Sequence, residues 1–200
     1  MSKLHLVRHA ECEFNVRHLV QGWVDSPVTE LGIRQSRAAG DYIREAGIRP
    51  THAYCSTSYR TEVTLREALG QVPGYEHMPY ERLDDLREAY FGLLEGMPSE
   101  LVVEQAPFGN FLVQFGGESQ DHLGTRICGC LDGIMRRPDH ESVIAVTHGA
   151  AARVFLDRWA ADSPLWSPEF FGCPSNCSVM TFEYSDGEFE LVNVFEPHVA

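Results

Sequence analysis

Two histidines in this chain follow apolar runs that end abruptly in polar residues. Leu4-His5-Leu6-Val7 leads into Arg8-His9, and Val143-Ile144-Ala145-Val146 leads into Thr147-His148-Gly149. A neutral imidazole is a nucleophile, and a guanidinium beside it can grip two oxygens of one phosphate. Arg60 closes the segment Ser56-Thr57-Ser58-Tyr59-Arg60, while Glu88 stands in Leu86-Arg87-Glu88 ahead of the glycine-bearing loop Phe91-Gly92-Leu93-Leu94-Glu95-Gly96. Phosphoester cleavage needs an in-line nucleophile, donors on the equatorial oxygens and a proton for the leaving alkoxide. His9 can be the nucleophile if it stays neutral and a backbone acceptor holds the proton of its other nitrogen. Arg8, Arg60 and His148 are expected to surround the phosphoryl group with positive charge, which also discourages protonation of His9. Asn15 and the backbone around Gln21 and Gly22 can add neutral donors.

The surrounding pattern alternates strands and helices. A strand at 3–7 precedes a polar loop and a helix from Thr29, whose hydroxyl can cap the first turn, to Ala46, with Gly47 placed to end it. A strand at 53–55 leads to a helix over 58–69, and a loop-rich, cap-like insertion spans about 72–118. A helix over 119–136 feeds the strand 143–147, Gly149 opens a helix to Ala160, and strands 178–184 and 188–194 flank Ser185-Asp186-Gly187, a hairpin signal. Strands separated by helices pair in parallel through right-handed crossovers, with the terminal hairpin as an antiparallel edge. The expected fold is a three-layer α/β/α sandwich, one domain over residues 1–200, with both histidines at the carboxyl ends of buried strands, where ligands bind in open α/β sheets.

Bulk properties narrow the partners. A net charge of −13 repels nucleic acid, whose binding depends on lysine and arginine neutralising phosphates. Only Lys3 is a lysine, so nearly all fixed positive charge is arginine. No apolar run approaches the roughly 18 residues of a membrane span, and the start of the chain runs straight into a core strand. No membrane partner and a cytoplasmic location are therefore expected. Six cysteines lack the CxxC spacing of common zinc sites, and reduced thiols are expected. No metal and no other cofactor is expected.

The order Arg8-His9 with Glu11 and Asn15, Gln21-Gly22, Asp25 through Gly32 with Gln35, the segment to Arg60, Leu86 through Gly96, Gly117-Glu118-Ser119 and Thr147-His148-Gly149 resembles the histidine phosphatase superfamily, also called the phosphoglycerate mutase-like family. The resemblance covers nearly the whole chain. It implies His9, Glu88, His148, Arg8 and Arg60 as the catalytic set, with Glu88 as proton donor and Asn15, Gln21, Gly22 and Gly149 as substrate-binding residues. Glu88 would protonate the leaving group, then deprotonate the water that hydrolyses phosphohistidine. Glu11 is a candidate brace for an arginine, Glu118 part of a structural turn, and Arg126 a solvated or bracing residue. The family usually has glycine where this chain has Ala10; if the backbone there needs a positive φ, the loop must shift.

The family contains mutases and phosphatases, and the resemblance implies that mutases supply arginines and a lysine from the cap to hold a highly anionic substrate. Here Glu88 through Thr125 contains no lysine or arginine; the residue after Glu88, basic in those mutases, is Ala89, and their tyrosine is matched by Phe91. Phe91, Leu93, Leu94, Met97, Phe108, Phe111 and Phe115 make the cap apolar, although about half of them are expected to be plain core. A buried unpaired charge is expensive, so a neutral leaving group suits such a cap better than a second anion. A phosphomonoesterase acting on a small-molecule phosphate ester is the favoured reading. A cofactor-dependent phosphoglycerate mutase and a non-catalytic phosphate-binding module are the alternatives, and a homodimer stays open.

Overall fold

A computed structural model describes residues 1–103, 109–166 and 173–199. Strands β1 (Ser2–Arg8), β2 (His52–Ser56), β3 (Glu81–Leu83), β4 (Ser142–Thr147), β5 (Val179–Ser185) and β6 (Glu188–Phe195) form one sheet in the order β3-β2-β4-β1-β5-β6. The first four run parallel, β5 lies antiparallel to β1, and β6 returns antiparallel to β5. Asp186 and Gly187 take φ of 52° and 89°, the left-handed pair that a two-residue hairpin requires.

Successive side chains of a strand point to opposite faces, and both faces here are covered. Leu4, Leu6, Val143 and Ala145 pack with Leu123, Ile127 and Leu131 of α5 (Gln120–Met135) and Phe155 of α6 (Gly149–Trp159). Val7, Ile144 and Val146 pack with Ala39 and Ile43 of α2 (Glu30–Glu45) and Leu65 and Leu69 of α3 (Tyr59–Leu69). The result is the three-layer sandwich. Thr29 caps α2 by accepting from Gly32 N at 3.0 Å, and Ser119 caps α5 by accepting from His122 N at 3.2 Å. Single-turn helices α1 (Glu13–Val16) and α4 (Glu100–Val103) complete the set. No helix among the described residues is long and apolar enough to cross a membrane.

The insertion holds one strand that the sequence pattern does not predict. It contains β3, a parallel edge strand beside β2, which three exposed or half-buried residues conceal from any hydrophobic pattern. Its apolar residues also divide: Phe91 and Leu94 are buried in the core, Phe111 and Phe115 pack partly against it, and Leu93 and Met97 are 81% and 45% exposed. Phe108 lies outside the described residues. Short 3-10 turns at Asp84–Leu86, Gly92–Leu94 and Phe111–Phe115, together with α4, are its other regular elements among the described residues.

Candidate active site

Parallel pairing sets Arg8 opposite Thr147, so the next residues on each strand, His9 and His148, emerge side by side at the carboxyl edge of the sheet. Their rings meet edge to face with centroids 5.2 Å apart, and both residues are buried. The carbonyl of Ala10 lies 2.7 Å from Nδ1 of His9. A carbonyl only accepts, so Nδ1 carries the proton and Nε2 presents its lone pair. Among the described residues no hydrogen bond reaches that Nε2. Burial, followed by the charges of Arg60 and Arg8, holds the imidazole pKa well below 6.5 against the opposing pull of the Ala10 carbonyl. Asn176 fixes the strand end by donating to the His9 carbonyl at 2.8 Å.

Ala10 fits without a positive φ. Its N–H donates to Thr64 Oγ1 at 2.9 Å and its methyl is buried in the core beneath α2 and α3, so the pocket keeps its shape with alanine there.

Arg60 is completely buried at the start of α3. Its Nη1 donates to Asp25 Oδ1 at 2.6 Å and Val24 O at 3.0 Å, and its Nη2 to Gly22 O at 2.8 Å and His148 Nδ1 at 2.9 Å. A guanidinium has donors only, so Nδ1 of His148 is an acceptor and its Nε2–H points to Ser56 Oγ, 2.7 Å away. His148 is therefore neutral, its pKa pushed well below 6.5 by burial and then by Arg60. This corrects the expectation that His148 adds positive charge, which comes instead from Arg8 and Arg60. The Nε of each of these two arginines is buried and has no hydrogen-bond partner among the described residues. Arg8 also donates through Nη1 to the Pro174 carbonyl.

Glu88 is buried beside the start of α6, just past His148. Its carboxylate sits at the N-terminus of α6, accepting from Ala150 N, Ala151 N and its own neighbour Ala89 N, each at 2.9 Å. Burial raises its pKa above the usual carboxylate value, with the three N–H groups and Arg60 pulling the other way. Arg126 braces the backbone of this loop, donating to the carbonyls of Asp85, Arg87 and Glu88 while pairing with Glu118 at 2.7 Å. Thr147 Oγ1 adds a bond to Leu86 O at 2.8 Å, which ties Glu88 to the end of β4.

The neutral groups are less free than the sequence suggests. Asn15 Oδ1 accepts from Cys12 N at 3.0 Å, and Gln21 Nε2 donates to Ser26 Oγ at 2.9 Å while its Oε1 is buried without a partner. Gly22 is corrected as an open donor, because its N–H is taken by Glu95 Oε2 at 3.0 Å and its carbonyl by Arg60. Glycine is needed there for close approach: a Cβ would stand 2.4 Å from both Ala89 O and Glu95 Oε1. Gly149, at the start of α6, is pressed against Cys173 and Arg8. Glu11 braces Thr29 Oγ1 at 2.7 Å and no arginine, which corrects that expectation. Asp25, Ser56 and Glu95 stood inside the quoted motifs without a role, whereas nothing in the local sequence points to Asn176.

The model of the histidine phosphatase superfamily (branch 1) matches residues 4–197. A probable phosphoglycerate mutase, GpmB, of Yersinia pestis (strain Pestoides F) is 33% identical over 164 residues, 78% of this chain and 74% of that protein. The crystal structure of phosphoglycerate mutase from Bacillus anthracis str. Sterne superposes with a TM-score of 0.82 at 22% identity, covering 96% of this chain and 91% of that one. A mycobacterial glucosyl-3-phosphoglycerate phosphatase, in complex with VO3, gives a TM-score of 0.76 at 20% identity over 99% of this chain and 100% of that one. A family match over nearly the whole chain, with relatives among mutases and phosphatases, makes this an enzyme of the phosphatase or mutase type, and the chain belongs to the histidine phosphatase superfamily.

Proposed function

We propose that this protein is a phosphomonoesterase working through a phosphohistidine on His9. One observation carries the reading: a neutral imidazole, its tautomer fixed by Ala10 O, sits beside two guanidinium groups whose buried Nε atoms lack partners. A phosphoryl oxygen would supply the acceptors that these donors lack. Nε2 of His9 attacks phosphorus, the ester P–O bond breaks, and the leaving oxygen takes a proton from Glu88, whose acid form burial favours. Water then attacks the phosphohistidine and gives its proton to the Glu88 carboxylate, releasing phosphate and free His9.

Hydrolysis is favoured over phosphoglycerate interconversion because residues 88–125 offer no lysine or arginine to a second anion on the substrate. Arg87, just before that stretch, has its guanidinium 4.5 Å over the Trp23 ring. The mutase reading draws on the likeness to a probable phosphoglycerate mutase. A panel of phosphomonoesters, with p-nitrophenyl phosphate as reference and run with and without 2,3-bisphosphoglycerate, separates the two. Phosphate release that does not depend on the bisphosphate supports hydrolysis; interconversion of phosphoglycerates faster than phosphate release overturns it.

A further inference from the structure

Among the described residues the carboxylate of Glu95 makes no hydrogen bond to His9, Arg60 or Glu88, yet four backbone N–H groups converge on it. Oε1 accepts from Trp23 N at 2.8 Å and Phe91 N at 3.2 Å; Oε2 accepts from Gly22 N at 3.0 Å and Val24 N at 3.3 Å. Three consecutive N–H groups of the Gly22–Val24 segment are thereby turned toward the cap. Two of the three carbonyls of that segment, Gly22 O and Val24 O, hold Arg60. The indole of Trp23, carried by the same segment, donates to Glu88 O at 3.1 Å and lies under Arg87. We propose that Glu95 is a positioning residue of the active site: by gripping Gly22–Val24 from the cap, it aims Arg60 and seats the Glu88 loop in one step.

This rests on the reading that Arg60 faces the phosphoryl group, and the chemistry of the grip is specific. Four donors need four acceptor lone pairs, which an ionised carboxylate supplies and an amide does not. In Glu95→Gln one oxygen becomes an NH2 that confronts two N–H donors, so about half of the grip is lost; in Glu95→Ala all of it is lost. Released from the cap, the segment can rotate its carbonyls away from Arg60. Misplacement of a binding group by about 1 Å costs on the order of 10²-fold in rate.

The test measures kcat and KM for p-nitrophenyl phosphate together with amide hydrogen exchange over residues 18–27, in the wild type, Glu95→Gln, Glu95→Ala, Asp25→Asn and the double variant Glu95→Gln/Asp25→Asn. Glu95→Gln should lose roughly tenfold and Glu95→Ala roughly 10²-fold in kcat/KM, with exchange at Gly22–Val24 rising in the same order and thermal midpoints near that of the wild type. Because Asp25 steadies the same segment by accepting from Arg60 Nη1 and Tyr59 N, the double variant should be little worse than the poorer single variant. Glu95→Gln with wild-type kcat/KM, or losses that multiply in the double variant, would overturn the positioning role. A wild type that releases no phosphate would count against the phosphatase reading, while exchange at Gly22–Val24 would still report on the Glu95 grip.

Discussion

The two halves of the pocket are built on different terms. On the phosphoryl side, His9, Arg60 and His148 are at most 3% exposed, sit on or beside neighbouring parallel strands, and have almost every donor and acceptor committed within the protein. In the cap, the described residues between 89 and 118 form short turns and the single-turn α4, Leu93, Met97, Leu101 and Val113 are exposed, and the sequence of that stretch holds no lysine or arginine. The proposed function assigns the chemistry to the sheet edge and the choice of ester to the cap. Changes at the sheet edge should therefore lower turnover of every substrate, whereas leaving-group chemistry should reveal the cap.

The largest expected effect is at the nucleophile. His9→Ala should remove nearly all turnover on every phosphomonoester while the thermal midpoint changes little, since the ring stands at the sheet edge and adds little to the core. Turnover near the wild-type rate would break the proposed division at its base. Next comes Glu88→Gln, which should slow alkyl phosphates by roughly 10²- to 10⁴-fold and p-nitrophenyl phosphate, whose leaving group needs little protonation, far less. Equal losses on both would make Glu88 a positioning group, consistent with the two bonds it accepts at the start of α6, and would move the acid elsewhere.

A coupled assay of 3-phosphoglycerate conversion primed with 2,3-bisphosphoglycerate sharpens the cap side of the comparison. Only background is expected beside measurable phosphate release from esters with neutral leaving groups. Rapid interconversion would mean that arginines outside residues 88–125 reach the substrate.

The smallest effect is on stability. His5, His9 and His148 have folded pKa values depressed by burial, His5 to about 4. Above pH 6.5 all three are neutral in both states and add no pH dependence; below it the unfolded chain binds protons that the folded chain refuses. Stability should fall on acidification by up to about 1.4 kcal/mol per histidine per pH unit. Glu88, whose folded pKa is raised, works in the opposite sense, since its folded form retains a proton that the unfolded chain loses. Three groups outweigh one, so the urea midpoint should be lower at pH 5.5 than at pH 7.5. A midpoint that holds or rises at pH 5.5 would contradict the buried, neutral histidines.

The parts of this arrangement that were legible in the sequence are those set by local signals. Apolar runs ending in Arg8-His9 and Thr147-His148 located β1 and β4, Thr29 located the start of α2, and Ser185-Asp186-Gly187 located the hairpin. β3 was hidden because Glu81, Arg82 and Leu83 form an edge strand too short and too polar to show alternation. The neutrality of His148 was hidden because it depends on Arg60, 88 positions away, donating to its ring. Gly22 and Glu95 are 73 positions apart, and only the folded chain shows that the glycine N–H serves the carboxylate and not the substrate. Local pattern locates strand ends; long-range hydrogen bonding assigns protons.

The central claim is covalent, and rapid quenching of the enzyme with a 32P-labelled phosphomonoester tests it most directly. Acid-labile, base-stable label should accumulate on the wild type and map to the peptide containing His9, with none on His9→Ala. Label on a serine, on His148, or undiminished in His9→Ala would contradict the mechanism.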